Sequence, residues 1–290
     1  EAVRLTDGMG NIINMHALAT LEEETQFAQV LYKGFLGDAM MGFALQRPFW
    51  ADYDADTAEA VHLSVHQFQG VYYYDRDEQK ASFTDDFYQT VGSSVFETYQ
   101  QGMQRADHNQ LAVQRLFFDF TQRVPRHTMN GVMVARSRAV VRLPFADNDL
   151  VDFSLTIPPG YHFGRHLMRL AFTQSYPDLA KIPVSDTGLP MISCARDLLL
   201  RTKQFLQWHV NQRGIDWPTR RPYKDYANWF RGVLRPWVEG TLLSDSSLNR
   251  GYIKPEYIRN LVSGHMAGDD HTIKLGQLLS LELWHRHYID

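Results

Sequence analysis
The first forty positions of the chain change from helical to strand spacing. In LATLEEETQFAQVLY, Leu18, Leu21 and Thr25 fall near one face and Glu22-Glu23-Glu24 lies mostly on the other, which predicts a helix. That helix feeds Val30-Leu31-Tyr32, a short apolar run that predicts a buried strand. A loop with Gly34 and Gly37 follows, then Asp38 and a helix-like run from Ala39 to Leu45. Further helices are predicted at 56–69, capped by Asp54 or Asp56, and at Asp85 to Met103. Another spans Asp107 to Val124, where Leu111, Leu116, Phe117, Phe120 and Val124 keep helical spacing until Pro125 stops it. A run from Met129 to Val140 leads into RLPFADNDLVDFSLTIPP, in which Asp147 opens a helix and Pro158-Pro159 ends it. The last predicted helix, Thr272 to Tyr288, buries Leu275, Leu278, Leu279 and Leu283 on one face, with Trp284 at least half buried. Lys274, Gln277 and Glu282 point outward in that reading. The pattern is that of an α-rich chain with at least one buried strand and no internal repeat.

Composition narrows the function. The 290 residues are 44% hydrophobic and 21% charged, as in ordinary globular proteins, and suffice for a substantial core. A net charge of −4 without a basic stripe disfavours nucleic acid as a partner. No apolar run approaches the roughly 20 residues of a membrane helix. The single cysteine, Cys194, excludes an internal disulfide framework and suits a reducing, cytoplasmic compartment. Its apolar neighbourhood MISCARDLLL reads as core rather than nucleophile. The opening EAVRLTDGMG has neither a signal-peptide pattern nor an initiator Met, so the chain reads as a piece of something longer.

Few residues offer chemistry outright. His62 and His66 share a helical face and could begin a metal site, although zinc needs three or four ligands. Two ordinary histidines on a helix are the plainer reading, and a metal-dependent hydrolase stays a third-ranked function. GHMAGDDH reads as a turn between helices with Asp269 or Asp270 as cap. The aromatic stretch YKDYANWFRGVLRPW reads as helix packing or as an exposed contact face. KGFLGDAMMG and VVRLPFADNDLVDFSL stand apart, because each fixes charged side chains at a tight turn.

Together these stretches resemble the synthetase half of glutamine-dependent asparagine synthase. The family's L-S-G-E-G-x-D-E turn is matched by LYKGFLGDA at 31–39, and its R-x-P-F-x-D by RLPFADNDLVDFSLTIPP at 142–159. RHLMR at 165–169, YPDLAKIP, and the closing SGHMAGDDHTIKLGQLLSLELWHRHYID with its L-E-x-W follow in the family's order. LTDGMGN and YPDL resemble the divergent asparagine synthase-related branch.

The resemblance implies an adenine-nucleotide α-hydrolase-like α/β fold, with residues 1–290 as the C-terminal part of the synthetase domain. It implies that ATP and Mg2+ activate a small carboxylic acid by adenylation for attack by an amine or ammonia, the last step of asparagine biosynthesis. Asp38 would then be the acid that contacts substrate or Mg2+. Arg142 and Arg165 would be catalytic charges. Gly34, Gly37 and Asp147 would complete the cofactor site. A homodimer is among the implied assemblies.

Several departures bear on activity. Phe35 and Ala39 stand where the family has acids in the first loop, and Val140 replaces the acid before Arg142. Val132 stands where the family has a lysine, and Arg165 replaces the lysine that meets phosphate. The Ser-Gly-Gly-x-Asp-Ser loop that grips pyrophosphate is not in the sequence, nor is the glutaminase half with its amidotransferase cysteine. The expectation is that an upstream segment of the same protein supplies them. Two functions follow: part of an ATP-dependent amide ligase, or a degenerate homologue that binds a nucleotide or a protein without catalysis.

Overall fold
Helix-forming runs interrupted by Pro and Gly give many short helices rather than a few long ones. A computed structural model of the chain describes residues 1–41, 76–92, 94–162, 166–183, 190–191 and 224–290, with Leu199, Thr202 and Leu206. The predicted 56–69 helix with His62 and His66, residues 42–45, Arg165 and Cys194 lie outside the described residues.

Among the described residues the sheet is one parallel pair, β1 (Val30–Tyr32) and β2 (Val140–Arg142). Val30 faces Val140, Leu31 faces Val141 and Tyr32 faces Arg142. Successive side chains alternate across the sheet. Val141 is buried and Leu31 half-buried over a core of Met15, Leu21, Val132, Val134 and Ala135. The other face holds Val30 and Tyr32, which are 44% and 75% exposed. The expected buried strand is therefore covered on one face only, and an apolar triplet alone does not distinguish the two cases.

The helix Leu18–Phe27 precedes β1 as predicted. The expected helix from Asp85 to Met103 is divided into Asp85–Val91, closed by Gly92, and Ser94–Gln104. Pro125 does not stop its helix. Leu111–Phe118 runs into a π-wound stretch, Asp119–Thr128, that contains Pro125 and continues as Met129–Arg136. In α winding the proline ring would strike the carbonyl four residues back. The wider π turn removes that clash.

The second core lies at the C-terminal end. Arg235–Leu242, Pro255–Ala267 and Thr272–Tyr288 bury Val238, Leu242, Leu261, Leu275 and Leu279. Leu278 is buried as well, and Leu283 and Trp284 are half-buried, as the spacing predicts. Glu282 departs from the expected outward set and is only 3% exposed. Its carboxylate accepts from Arg250 Nε at 2.9 Å and from Arg286 Nε at 2.7 Å. Two guanidinium groups satisfy a charge that burial alone would not tolerate. Burial pushes its pKa up, but the hydrogen bonds from Arg250 and Arg286 outweigh that and hold it below the ordinary value.

The turn after Ala267 is capped by Asp270, which accepts from the Thr272 N–H at 3.1 Å. Arg231 ties the preceding helix end down by donating to the carbonyls of His265, Gly268 and Asp269. Residues 7–13 lie across the last helix. Asn11 donates to the Ile273 carbonyl at 2.9 Å, and the Ile12 N–H donates to Ser280 Oγ at 3.0 Å. Gly8 has φ +70, and a β-carbon there would stand 2.7 Å from the Trp284 ring, so glycine is required on both counts.

Candidate functional site
The site is built by two loops that leave the same end of a parallel pair. The Lys33 N–H donates to the Arg142 carbonyl at 3.0 Å, which extends the ladder one residue beyond β1. After it the chain turns at once, with the Gly37 N–H donating to the Gly34 carbonyl at 3.1 Å. Leu36 takes φ +71, a conformation unusual for a residue with a side chain, and starts the short helix Gly37–Met40. Asp38 sits exposed in its first turn, while Ala39 and Met40 are buried and anchor it.

The second loop is shaped by Pro144, which opens the 3-10 turn Pro144–Ala146. Asp147 then caps Asn148–Thr156 by accepting from the Leu150 N–H at 3.1 Å. The loops touch. A β-carbon on Gly37 would lie 3.4 Å from the ring of Phe145, at ordinary contact distance, so the aromatic ring sits against the turn. Asp38, Arg142, Asp147 and Gly34 are all exposed. The fold thus gathers five of the six residues expected at the site, Gly34, Gly37, Asp38, Arg142 and Asp147, into two abutting loops. Arg165 is outside the described residues.

The roles of these residues differ. One oxygen of Asp147 is committed to the helix cap, so the residue positions backbone. Phe35 is half-buried and, like Leu31 and Leu143, packs against the core under the sheet. It therefore serves as an apolar anchor beneath the loop, where the family carries an acid. Val140 is exposed on the open face of the pair.

Two neighbours were not legible in the sequence. The π-wound stretch packs against the helix that carries Asp38. Pro125 within strong helical spacing was the available signal, because π turns recur at functional sites. The other neighbour is His162, at the end of Pro159–His162 and 4% exposed. Burial lowers its pKa, and the carbonyls of Ile157, Met40 and Ser154, within hydrogen-bonding reach, partly oppose that. Among the described residues no three His, Cys, Asp or Glu side chains converge as an all-protein site of the zinc type would need.

Residues 206–286 match the family model for asparagine synthase. This segment is similar to the asparagine synthase family. It covers the C-terminal core and its closing helix, and does not include the two loops at 33–38 and 143–147. No curated protein and no solved structure matches the chain. Among the described residues no helix is long and apolar enough to cross a membrane.

Proposed function
We propose that this chain is part of an ATP-dependent, carboxylate-adenylating, amide-forming ligase of the asparagine synthase type, built on an adenine-nucleotide α-hydrolase-like α/β domain. The observation that carries this reading is the meeting of KGFLGD and RLPFAD at the carboxyl ends of β1 and β2. Open α/β sheets place their ligands at such ends. The family match at 206–286 supports the reading from a separate part of the chain.

In this reading Asp38 is the carboxylate for Mg2+, which typically takes one or two protein acids along with substrate phosphates. Arg142 and Arg165 meet phosphate charge. The bare backbone at Gly34 and Gly37 allows close approach of the substrate. Bound MgATP supplies the activation of a small carboxylic acid, which an amine or ammonia then attacks to form the amide. The charges of Asp38 and Arg142 fit a metal and phosphates. Neither loop carries a serine or threonine for the pyrophosphate, which such sites hold in a nest of N–H groups and hydroxyls. We assign that grip to an upstream segment of the same protein, and place the enzyme in the cytoplasm, with homodimerisation as its assembly.

Calorimetry with MgATP tests the assignment. Residues 1–290 alone are expected to bind weakly or not at all, and the protein with its upstream segment is expected to bind. Tight binding by residues 1–290 alone would move the nucleotide site elsewhere. Failure of the longer protein to bind would select the second reading, a catalytically degenerate homologue that acts as a binding module. That reading is favoured by one observation, the use of Phe35 as a packing residue where the family carries an acid.

A further inference from the structure
Both ring nitrogens of His265 are engaged, and the geometry fixes which of them carries the proton. The side chain is fully buried near the end of the helix Pro255–Ala267. Nδ1 lies 3.1 Å from the His271 backbone nitrogen, an N–H that can only donate, so Nδ1 is the bare acceptor. Nε2 then holds the proton of the neutral ring and donates to the Ala227 carbonyl at 3.2 Å. The ring thereby joins its own helix to two others. Ala227 lies in the short helix Tyr226–Arg231, and His271 is the cap residue of the closing helix Thr272–Tyr288. The His271 carbonyl accepts from the Leu275 N–H at 3.0 Å, and two residues further on the Ile273 carbonyl accepts from Asn11. A second proton on the ring would set an Nδ1–H against the His271 N–H, two donors with no acceptor between them. It would also place a cation beside Arg231, whose Nε donates to the His265 carbonyl at 2.8 Å.

We propose that His265 is a pH-operated latch: the neutral ring ties the start of the closing helix to the helix Tyr226–Arg231, and protonation frees that start together with the seat of Asn11. Arg231 faces the ring from the helix Tyr226–Arg231, where Tyr226 stays neutral because burial raises its pKa. Asp225, the cap of that helix, accepts from Asn228. The turn contributes Asp270 and His271, with Asp269 at 4.0 Å from the His271 ring. Lys274 of the closing helix is paired with Glu78, and on the helix of His265 itself Glu256 and Arg259 are exposed. Burial first and the Arg231 charge second hold the pKa of His265 below 6.5, against the Ala227 carbonyl and Asp270. An opened ring therefore takes up its proton near 6.5 and the latched ring only further down, so the latch loosens as the pH falls through that window. The Gly268 and Asp269 N–H groups are held by the Gly264 carbonyl without the ring, which confines the release to the residues that follow.

Hydrogen exchange of residues 1–290, corrected for intrinsic rates, reads the latch at the His271 and Leu275 amides. Their protection is expected to fall by about 2- to 10-fold between about pH 7.5 and about pH 5.5. It is also expected to be indifferent to low urea, the mark of a local opening, whereas exchange at Leu279 in the core should rise with urea. His265→Asn keeps an acceptor near the Nδ1 position and cannot titrate, so its His271 protection is expected to be the same at both pH values. His265→Leu removes the acceptor and is expected to lose that protection already at about pH 7.5. The proposal is overturned if protection at His271 is flat in the unaltered protein, if it follows urea as Leu279 does, or if the Asn variant keeps the pH slope. Should neither variant fold, the ring nitrogen shifts of the unaltered protein decide. A bare Nδ1 near neutral pH together with the slope at His271 supports the latch, and a protonated Nδ1 or a flat profile overturns it.

Discussion

Lys33 and Arg142 are bound through their backbones, N–H to carbonyl at 3.0 Å, although more than a hundred residues separate them in the chain. This bond is where the two loops of the candidate site are locked into register. Everything after it, the turn at Gly34–Gly37 on one side and Pro144–Asp147 on the other, diverges from a fixed point.

Phe35 is the residue on which the two functional readings divide. Restoring an acid by Phe35→Glu is expected to destabilise the protein by about 2 kcal/mol, because a charged group replaces a ring packed on the core under the sheet. Urea unfolding of the variant measures this. An unchanged midpoint would show that the pocket under the loop is open enough to take a carboxylate, and would favour the ligase reading.

Asp147 is expected to matter through its cap. Asp147→Ala should lower stability by about 1 kcal/mol, and Asp147→Ser should keep most of it, since a serine oxygen accepts the same N–H. Equal losses for the two variants would mean that the carboxylate charge, and not the cap, is what the position supplies.

How far the sequence foretold this region can be judged from these residues. Asp147 was readable as a cap because Pro144 and an apolar run frame it. The meeting of Gly37 with Phe145 was reachable only through the family resemblance, since pairing between distant strands leaves no local periodicity. The exposure of Val30 and Tyr32 was not readable, because three apolar residues look alike in a covered and a half-covered strand. Glu282 was misread for a related reason. Helical spacing locates a face, but the partners that let a carboxylate be buried there, Arg250 and Arg286, lie on another segment and a turn away.

Glu282 is expected to be the most sensitive acid in the C-terminal core. Glu282→Gln leaves a partly exposed Arg286 and an Arg250 still paired with Asp290 facing a neutral group, and should lower stability by about 2 kcal/mol. Glu282→Leu with Arg250→Met should recover part of that loss, as buried ion pairs often can be replaced by apolar packing. A thermal shift of the single variant within error of zero would count against the buried network.

Stability should decline on mild acidification. His265 and His162 both have pKa values below 6.5, first through burial and, for His265, also through Arg231. The unfolded chain therefore takes up protons as the pH falls through 6.5 while the folded chain does not, so their contribution is full above 6.5 and shrinks below it. Glu282 and Asp270, both lowered, act in the same sense further down. Their contribution is present above the ordinary carboxylate range and is lost as the pH falls through their depressed folded values. Urea midpoints at about pH 7.5 and about pH 5.5 test this, and a higher midpoint at the acid end contradicts it.

The seating of residues 7–13 on the last helix has a consequence for how the protein is made. Asn11 meets Ile273, Ile12 meets Ser280 and Asp7 meets Trp284, at sequence separations of 262, 268 and 277. A ribosome releases the first of each pair long before the second exists. Through nearly the whole of synthesis, Ile12, Ile13 and the glycine at position 8 wait without the surface that covers them. A segment made early is thus among the last to be settled, and the nascent chain carries uncovered apolar residues that chaperones can hold until the closing helix emerges.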